Sequence, residues 1–371
     1  MRRCFRLGIV TFFLVFLPFV LVLKQLCFAH YLRRNYKEML NRAISENIRR
    51  TQISLLSATS LTTKNRSEST ETLAIIITKP RIAPHIGKVQ YLLQTTVRLL
   101  NISNFTLLIC NTSDSFHEDL HEVLQLVENL VHVYSASNDF TFLMKNERYR
   151  LDYGLCLKAG LAFQAKHILV LEDDNFAMPV FGKNLDYNLA RIIEMISVKN
   201  SNWKTIKLFF PKNYITFFQS FDAFIQYMTI TFSLLIFILL FYKNVLKFSF
   251  KCCIILLPFQ FLSLLIVVNY TRYESLLKFR CFFTDSFLVE SSVRASAGSI
   301  LYTREFAVKL SSFLLSSDSL IPLDFVISHY CAQEAVHQYL IYPSLFEHIG
   351  MVSSLRSNME LDPYWYMDRL D

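Results

Sequence analysis

Glycine is scarce in this sequence, with only seven in 371 residues. A phosphate-cradling loop needs several glycines close together, because its backbone must turn sharply and approach the anion. The seven are scattered from Gly8 to Gly350, which argues against any loop of that kind. Charge is scarce as well: charged residues make up 18% of the chain, and only 30 of them are acidic. Apolar side chains take their place, at 53% of the sequence with 34 Phe. The formal net charge of +8 lies partly in short basic stretches beside apolar runs, and nothing in it points to a nucleic-acid partner.

Three runs carry no charge at all: Leu7 to Leu23, Ala223 to Tyr242 and Cys252 to Tyr270. A bilayer core of about 30 Å takes roughly 20 apolar residues as helix, and a helix satisfies its own backbone polar groups there. The second and third runs are joined by the basic turn 243–251, with Lys243, Lys247 and Lys251, and read as a transmembrane hairpin. The alternative is a pair of buried core helices. The first run follows Arg2, Arg3 and Arg6. It is either an uncleaved anchor or a signal peptide with a small-residue cleavage site at Ala29.

A hairpin returns the chain to the side it left. The expected layout is therefore a tail at 1–6, spans at 7–23, 223–242 and 252–270, a stem at 24–72, and one domain in two parts, 73–222 and 271–371. The basic N-terminus and basic turn place themselves in the cytoplasm, although Lys24, Arg33, Arg34 and Lys37 blur the count. The sequons at Asn65, Asn101, Asn104 and Asn111 all fall on the opposite, lumenal side. Cys110, Cys156, Cys281 and Cys331 fall there too, where disulfides persist. Sequence leaves their three pairings open; Cys110–Cys156 with Cys281–Cys331 is preferred because each pair stays within one part.

Residues 54–72 are rich in Ser and Thr and read as a linker. Beyond them, short β-branched strands alternate with helices. Strands are expected at 73–78, 105–110, 131–134 and 167–171, with helices at 89–100, 118–130 and 140–164. This alternation predicts a doubly wound α/β sheet. After the hairpin the pattern is weaker, with a strand at 297–302 and helices at 304–313 and 323–338.

Glu172-Asp173-Asp174 follows the buried strand Ile168-Leu-Val-Leu directly. Ligands of open α/β sheets bind outside the carboxyl ends of the strands, and three adjacent carboxylates there repel one another unless a cation joins them. A hard divalent ion with oxygen ligands suits them. The bland alternative is a solvated acidic turn. His348, in Phe-Glu-His-Ile-Gly near the end of the chain, is a candidate further ligand or a structural histidine.

The order Glu-Asp-Asp, Ala297-Gly298, Pro343, His348-Ile-Gly and Ser353-Ser354 resembles GT-A nucleotide-sugar transferases. With the inserted hairpin, it resembles the Golgi post-GPI-attachment N-acetylgalactosamine transferases over roughly residues 70–371. The resemblance implies a GT-A-like (Rossmann-like) domain in a multi-pass Golgi membrane protein with its catalytic part in the lumen. It implies a donor, UDP-GalNAc, a divalent cation such as Mn²⁺, and a GPI-glycan mannose as acceptor. On that pattern Glu172, Asp174 and His348 hold the metal, and Asp173 touches metal or ribose. Lys79, Pro80 and Arg81 lie near the uridine, Arg150 and Asp152 brace the nucleotide or form a helical ion pair, and Ala297 and Gly298 pass the donor sugar. Inversion requires a general base; Asp324 is the first candidate, or else a helix cap, and Glu334 the second. Other readings are a transferase acting on N-linked or other membrane-tethered glycans, and a non-catalytic membrane scaffold.

Overall fold

The computed structural model describes residues 36–61, 71–79, 90–113, 118–136, 143–209, 221–244, 261, 281, 287–291 and 298–350. The chain divides into two compact units: Met1–Glu38 with Lys212–Phe283, and Met39–Pro211 with Thr284–Asp371. The interruption of the second unit is thus wider than the expected 223–270, but the two flanking parts do close into one body.

The sheet shows how they close. Strands β1 (Thr72–Thr78), β2 (Thr106–Asn111), β3 (His132–Ser135) and β4 (His167–Glu172) come from the first part, as does β6 (Thr205–Lys207). Strands β7 (Leu288–Ser291), β8 (Ser299–Thr303) and β9 (Gln338–Tyr342) come from the second. The eight run in the order β3-β2-β1-β4-β8-β6-β9-β7. β8 therefore lies between β4 and β6, so neither part completes the sheet alone. β1 to β4 are mutually parallel, as the alternation predicts. β8 is antiparallel to both its neighbours, and β7 to β9. The short β5 (Asn175–Ala177) and β10 (Phe346–His348) form a separate antiparallel pair.

Every residue of β1 is buried, as expected of a strand covered on both faces. Against one face pack α2 (Tyr91–Ile102), α3 (Glu118–Val127) and α5 (Leu185–Lys199), through Leu93, Val97, Val123 and Ile192. Against the other pack α4 (Lys145–Gly160), α7 (Arg304–Ser316) and α8 (Leu323–Gln333), through Tyr153, Leu157, Phe306 and Ile327. The architecture is a three-layer, mostly parallel, Rossmann-like α/β domain.

Three expectations need correction. Residues 54–61, read as the start of a linker, instead end a helix, α1 (Tyr36–Leu61). Its buried stripe of Ala43, Asn47, Thr51, Ser54, Ala58 and Leu61 recurs every three or four residues, the spacing of one helix face. The Ser and Thr that read as stem are small residues that allow close packing. Second, Cys110 and Cys156 are bonded, tying β2 to α4, but Cys281 and Cys331 are both buried and not joined to each other. Cys331 packs in the core beneath α7, and burial pushes its thiol up to about 12. Third, Asn111 is 1% exposed, with its amide turned onto Ser113, so a glycan has no room there. Asn101 and Asn104 are exposed, and Asn65 lies outside the described residues.

In the other unit, α6 (Phe221–Asn244) covers the second uncharged run, and Phe232 stacks on Phe261 at 5.4 Å. Among the described residues no helix is long and apolar enough to cross a membrane. The first run and, apart from Phe261, the third lie outside the described residues.

Candidate active site

The acidic triplet occupies the turn between β4 and β5, at the carboxyl end of the parallel strands. The turn is held from three sides. Asp173 N–H donates to Ile77 O at 3.2 Å. Thr78 Oγ1 donates to Asp173 Oδ2 at 3.0 Å, and Thr95 Oγ1 of α2 to Asp173 O at 2.8 Å. The central carboxylate is therefore buried, and its Oδ2 ties the turn to β1.

Its two neighbours point elsewhere. Glu172 continues the alternation of β4 onto the α4 face, where Tyr149 Oη donates to Glu172 Oε1 at 2.7 Å. Burial, and then the charge of Glu172, push the Tyr149 hydroxyl well above its ordinary range, so it stays a neutral donor. The remaining oxygen, Oε2, lies 4.0 Å from His348 Nε2. Asp174, 1% exposed, places Oδ2 3.2 Å from the same nitrogen. His348 reaches this point because β10 pairs with β5, setting His348 opposite Asn175, and because Ile349 N–H donates to Asp174 O at 2.8 Å. One ligand atom from each of Glu172, Asp174 and His348 lies within 4.8 Å of the others.

The donor set fits a divalent cation. A buried carboxylate beside a second carboxylate is costly unless a positive charge compensates both, and two carboxylate oxygens with one imidazole suit Mn²⁺ or a similar ion. The cradle is close: a Cβ at Gly350 would overlap Asp174 Oδ2. Gly298 closes the far wall. Its carbonyl accepts from Glu172 N–H at 3.2 Å and from Asn175 Nδ2 at 2.7 Å. A Cβ there would sit 3.3 Å from Phe209, whose ring faces His348 at 6.1 Å.

Other expected site residues fall in different places. Lys79 follows β1 directly, while Pro80, Arg81 and Ala297 lie outside the described residues. Arg150 is buried and donates through Nη1 to Leu314 O at the end of α7. It ties two helices together and does not meet Asp152; two positions along a helix is not one face. The arginine that meets Asp152 is Arg148, one turn earlier, at 3.9 Å.

Glu334 ends α8 and lines an open pocket with Asn200, Lys204 and Glu305. Thr303 pairs with His167 at the start of β4, so this pocket lies at the sheet end opposite Glu172, and Glu334 is withdrawn as a catalytic candidate. Asp324 lies in the first turn of α8, at the end of the helix away from Glu334. Asp324 is half-buried, accepts from Phe325 N–H at 3.0 Å, and adds charge near Lys207.

Tyr149, Asn175, Thr78 and Arg148 were not singled out from sequence. Asn175 had a signal, since it extends the acidic triplet by one polar residue. Tyr149 and Arg148 become visible only once α4 is laid over the sheet, and Thr78 only once β1 is paired with β4.

The chain matches the family described as GPI-N-acetylgalactosamine transferase PGAP4 over residues 72–347, about three quarters of its length. No curated protein matches it.

Proposed function

The chain belongs to the GPI-N-acetylgalactosamine transferase PGAP4 family, and from that premise we propose that it moves N-acetylgalactosamine from UDP-GalNAc to a GPI-glycan mannose, with inversion. The observation that carries this reading is the convergence of Glu172, Asp174 and His348, from the two halves of a split domain, at the carboxyl end of β4. A scaffold has no need to bury Asp174 against a second carboxylate.

In this reading Glu172, Asp174 and His348 hold a divalent cation. When bound, such an ion offsets charge developing on a leaving diphosphate, worth several kcal/mol of barrier. Tyr149 fixes the rotamer of Glu172, and Thr78 holds the turn through Asp173, so the ligands are set before substrate arrives. Gly298, lacking a side chain, lets the donor sugar approach backbone. Lys79 lies beside the nucleotide, and the Arg148–Asp152 pair replaces Arg150–Asp152 as its brace. Asp324 removes the acceptor hydroxyl proton.

The uncharged runs support membrane tethering, with the catalytic unit in the Golgi lumen, where a GPI glycan is also held at a fixed height above the bilayer. Shared confinement lowers the entropy cost of encounter. The test is replacement of Glu172 and Asp174 by Ala in cells, followed by mass spectrometry of released GPI glycans. Loss of the N-acetylgalactosamine branch at normal protein abundance is expected. An unchanged glycan profile overturns the reading, and a changed N-glycan profile redirects it to another acceptor.

A further inference from the structure

We propose that α1, which precedes the family-matched region, is a positioning clamp for the cation site, acting on His348 through its two neighbours, Glu347 in β10 and Ile349 just beyond it. This rests on the reading of Glu172, Asp174 and His348 as ligands.

The strand period carries the argument. Successive side chains of β10 point to opposite faces, so if His348 faces Asp174, Glu347 and Ile349 face away. Both meet α1 there. Before the histidine, Arg50 Nη2 lies 3.7 Å from Glu347 Oε2, with its guanidinium 5.1 Å above the ring of Phe176, the residue paired with Glu347 across the small sheet. After it, the wholly buried Asn47 donates through Nδ2 to Ile349 O at 3.1 Å. Ile48 packs on the Ile349 and Tyr91 cluster. His348 is thus pinned on both sides by one helix turn.

The clamp is itself anchored. Gln94 of α2 donates to Asn47 O at 3.0 Å and to Thr51 Oγ1 at 2.8 Å, and Gln90 N–H donates to Thr51 Oγ1 at 3.2 Å. On the same helix α2, Thr95 donates to Asp173 O. One helix therefore fixes α1 and the acidic turn together, setting the spacing between the carboxylates and the imidazole. Partners behind a ligand set its orientation, and losing one typically lowers metal affinity about tenfold or more.

The experiment measures Mn²⁺ dissociation from the full chain in detergent with UDP present, by the electron paramagnetic resonance of free Mn²⁺. Asn47→Leu, which keeps size and removes the donor, is expected to raise the dissociation constant about tenfold. Arg50→Met is expected to raise it about threefold, and Arg50→Lys to stay within about twofold of the parent. UDP-GalNAc transfer by Asn47→Leu is expected to recover at high Mn²⁺, a response that general loss of fold does not give. If Asn47→Leu does not fold, the Arg50 pair alone decides. Unchanged Mn²⁺ affinity in Asn47→Leu and Arg50→Met, with affinity lost in His348→Ala, overturns the clamp and leaves the cation site standing. Unchanged affinity in His348→Ala and Glu172→Ala overturns the cation site, and the clamp with it.

Discussion

The two ends of the central sheet handle charge in opposite ways. At the end where β4 begins, Lys166 meets Glu71 at 2.7 Å and Lys204 meets Glu305 at 2.6 Å. Each carboxylate there is well exposed, has an opposite charge in contact, and is held below its ordinary pKa chiefly by that hydrogen bond. Such pairs are locally neutral and contribute little. At the end where β4 finishes, Asp173 and Asp174 are buried and Glu172 lies beside them, and a histidine arrives from the far end of the chain. The first arrangement needs no ligand. The second is a cluster of like charges built at a cost, an arrangement typical of functional sites.

The largest effect that tests this contrast is Asp174→Asn. It keeps size and burial while removing a ligand charge, and is expected to lower transfer by about three orders of magnitude, roughly 4 kcal/mol of barrier, in a radiolabelled UDP-GalNAc assay. Activity within tenfold of the parent would erase the distinction between the two ends.

Next in size is Lys207, on β6 of the sheet, which feels the charge of Asp324 on α8. Burial lowers its pKa from 10.5 to about 8. A lysine depressed in the folded state is an unfavourable charge below pH 8, and that penalty is relieved as pH rises from about 8 to 10.5, because the unfolded chain then binds more protons. Lys207→Met should therefore stabilise the protein at pH 7 by about 3 kcal/mol and flatten the rise in melting temperature across that window. A stabilised variant that also loses transfer would make Lys207 part of the site; a destabilised one would show that its partners outweigh desolvation.

A smaller effect belongs to Tyr149→Phe, which frees Glu172 Oε1 without opening a cavity. Removing one hydrogen bond to a charged group is expected to cost about 2 kcal/mol, read as a rise of about thirtyfold in the Mn²⁺ concentration giving half-maximal activity. Equal loss at saturating Mn²⁺ would mean that the hydroxyl does more than orient the ligand. The smallest effect is at the other end: Glu305→Gln should leave both melting and transfer unchanged. A transfer defect there would return Glu334 and its pocket to the site.

Much of the first half was legible before any coordinates. β1 to β4 and the helices between them follow from short apolar strands alternating with amphipathic helices, because a parallel sheet covered on both faces leaves little choice of side chain. The Glu-Asp-Asp turn stood out for a related reason: three carboxylates directly after a buried strand break a strong local pattern. Legibility failed where burial did not use apolar residues. The stripe of α1 is Asn, Thr, Ser and Ala, and its packing depends on close approach and hydrogen bonds to Gln90 and Gln94. Arg150 was set beside the nucleotide only by the resemblance, yet helix geometry turns it into the core.

Local sequence thus determined the class of fold and the position of the acidic turn, while the Cys110–Cys156 bond was one of three pairings it left open. It determined that His348 was chemically able to join the carboxylates, and that the chain is broken by long uncharged runs. Which residues actually meet was decided only in three dimensions. β8 enters between β4 and β6, β10 pairs with β5, and α1 lies behind both neighbours of His348. These contacts join residues up to 302 positions apart, and no local propensity records them, because the free energy that selects them arises from packing the two parts of the domain together.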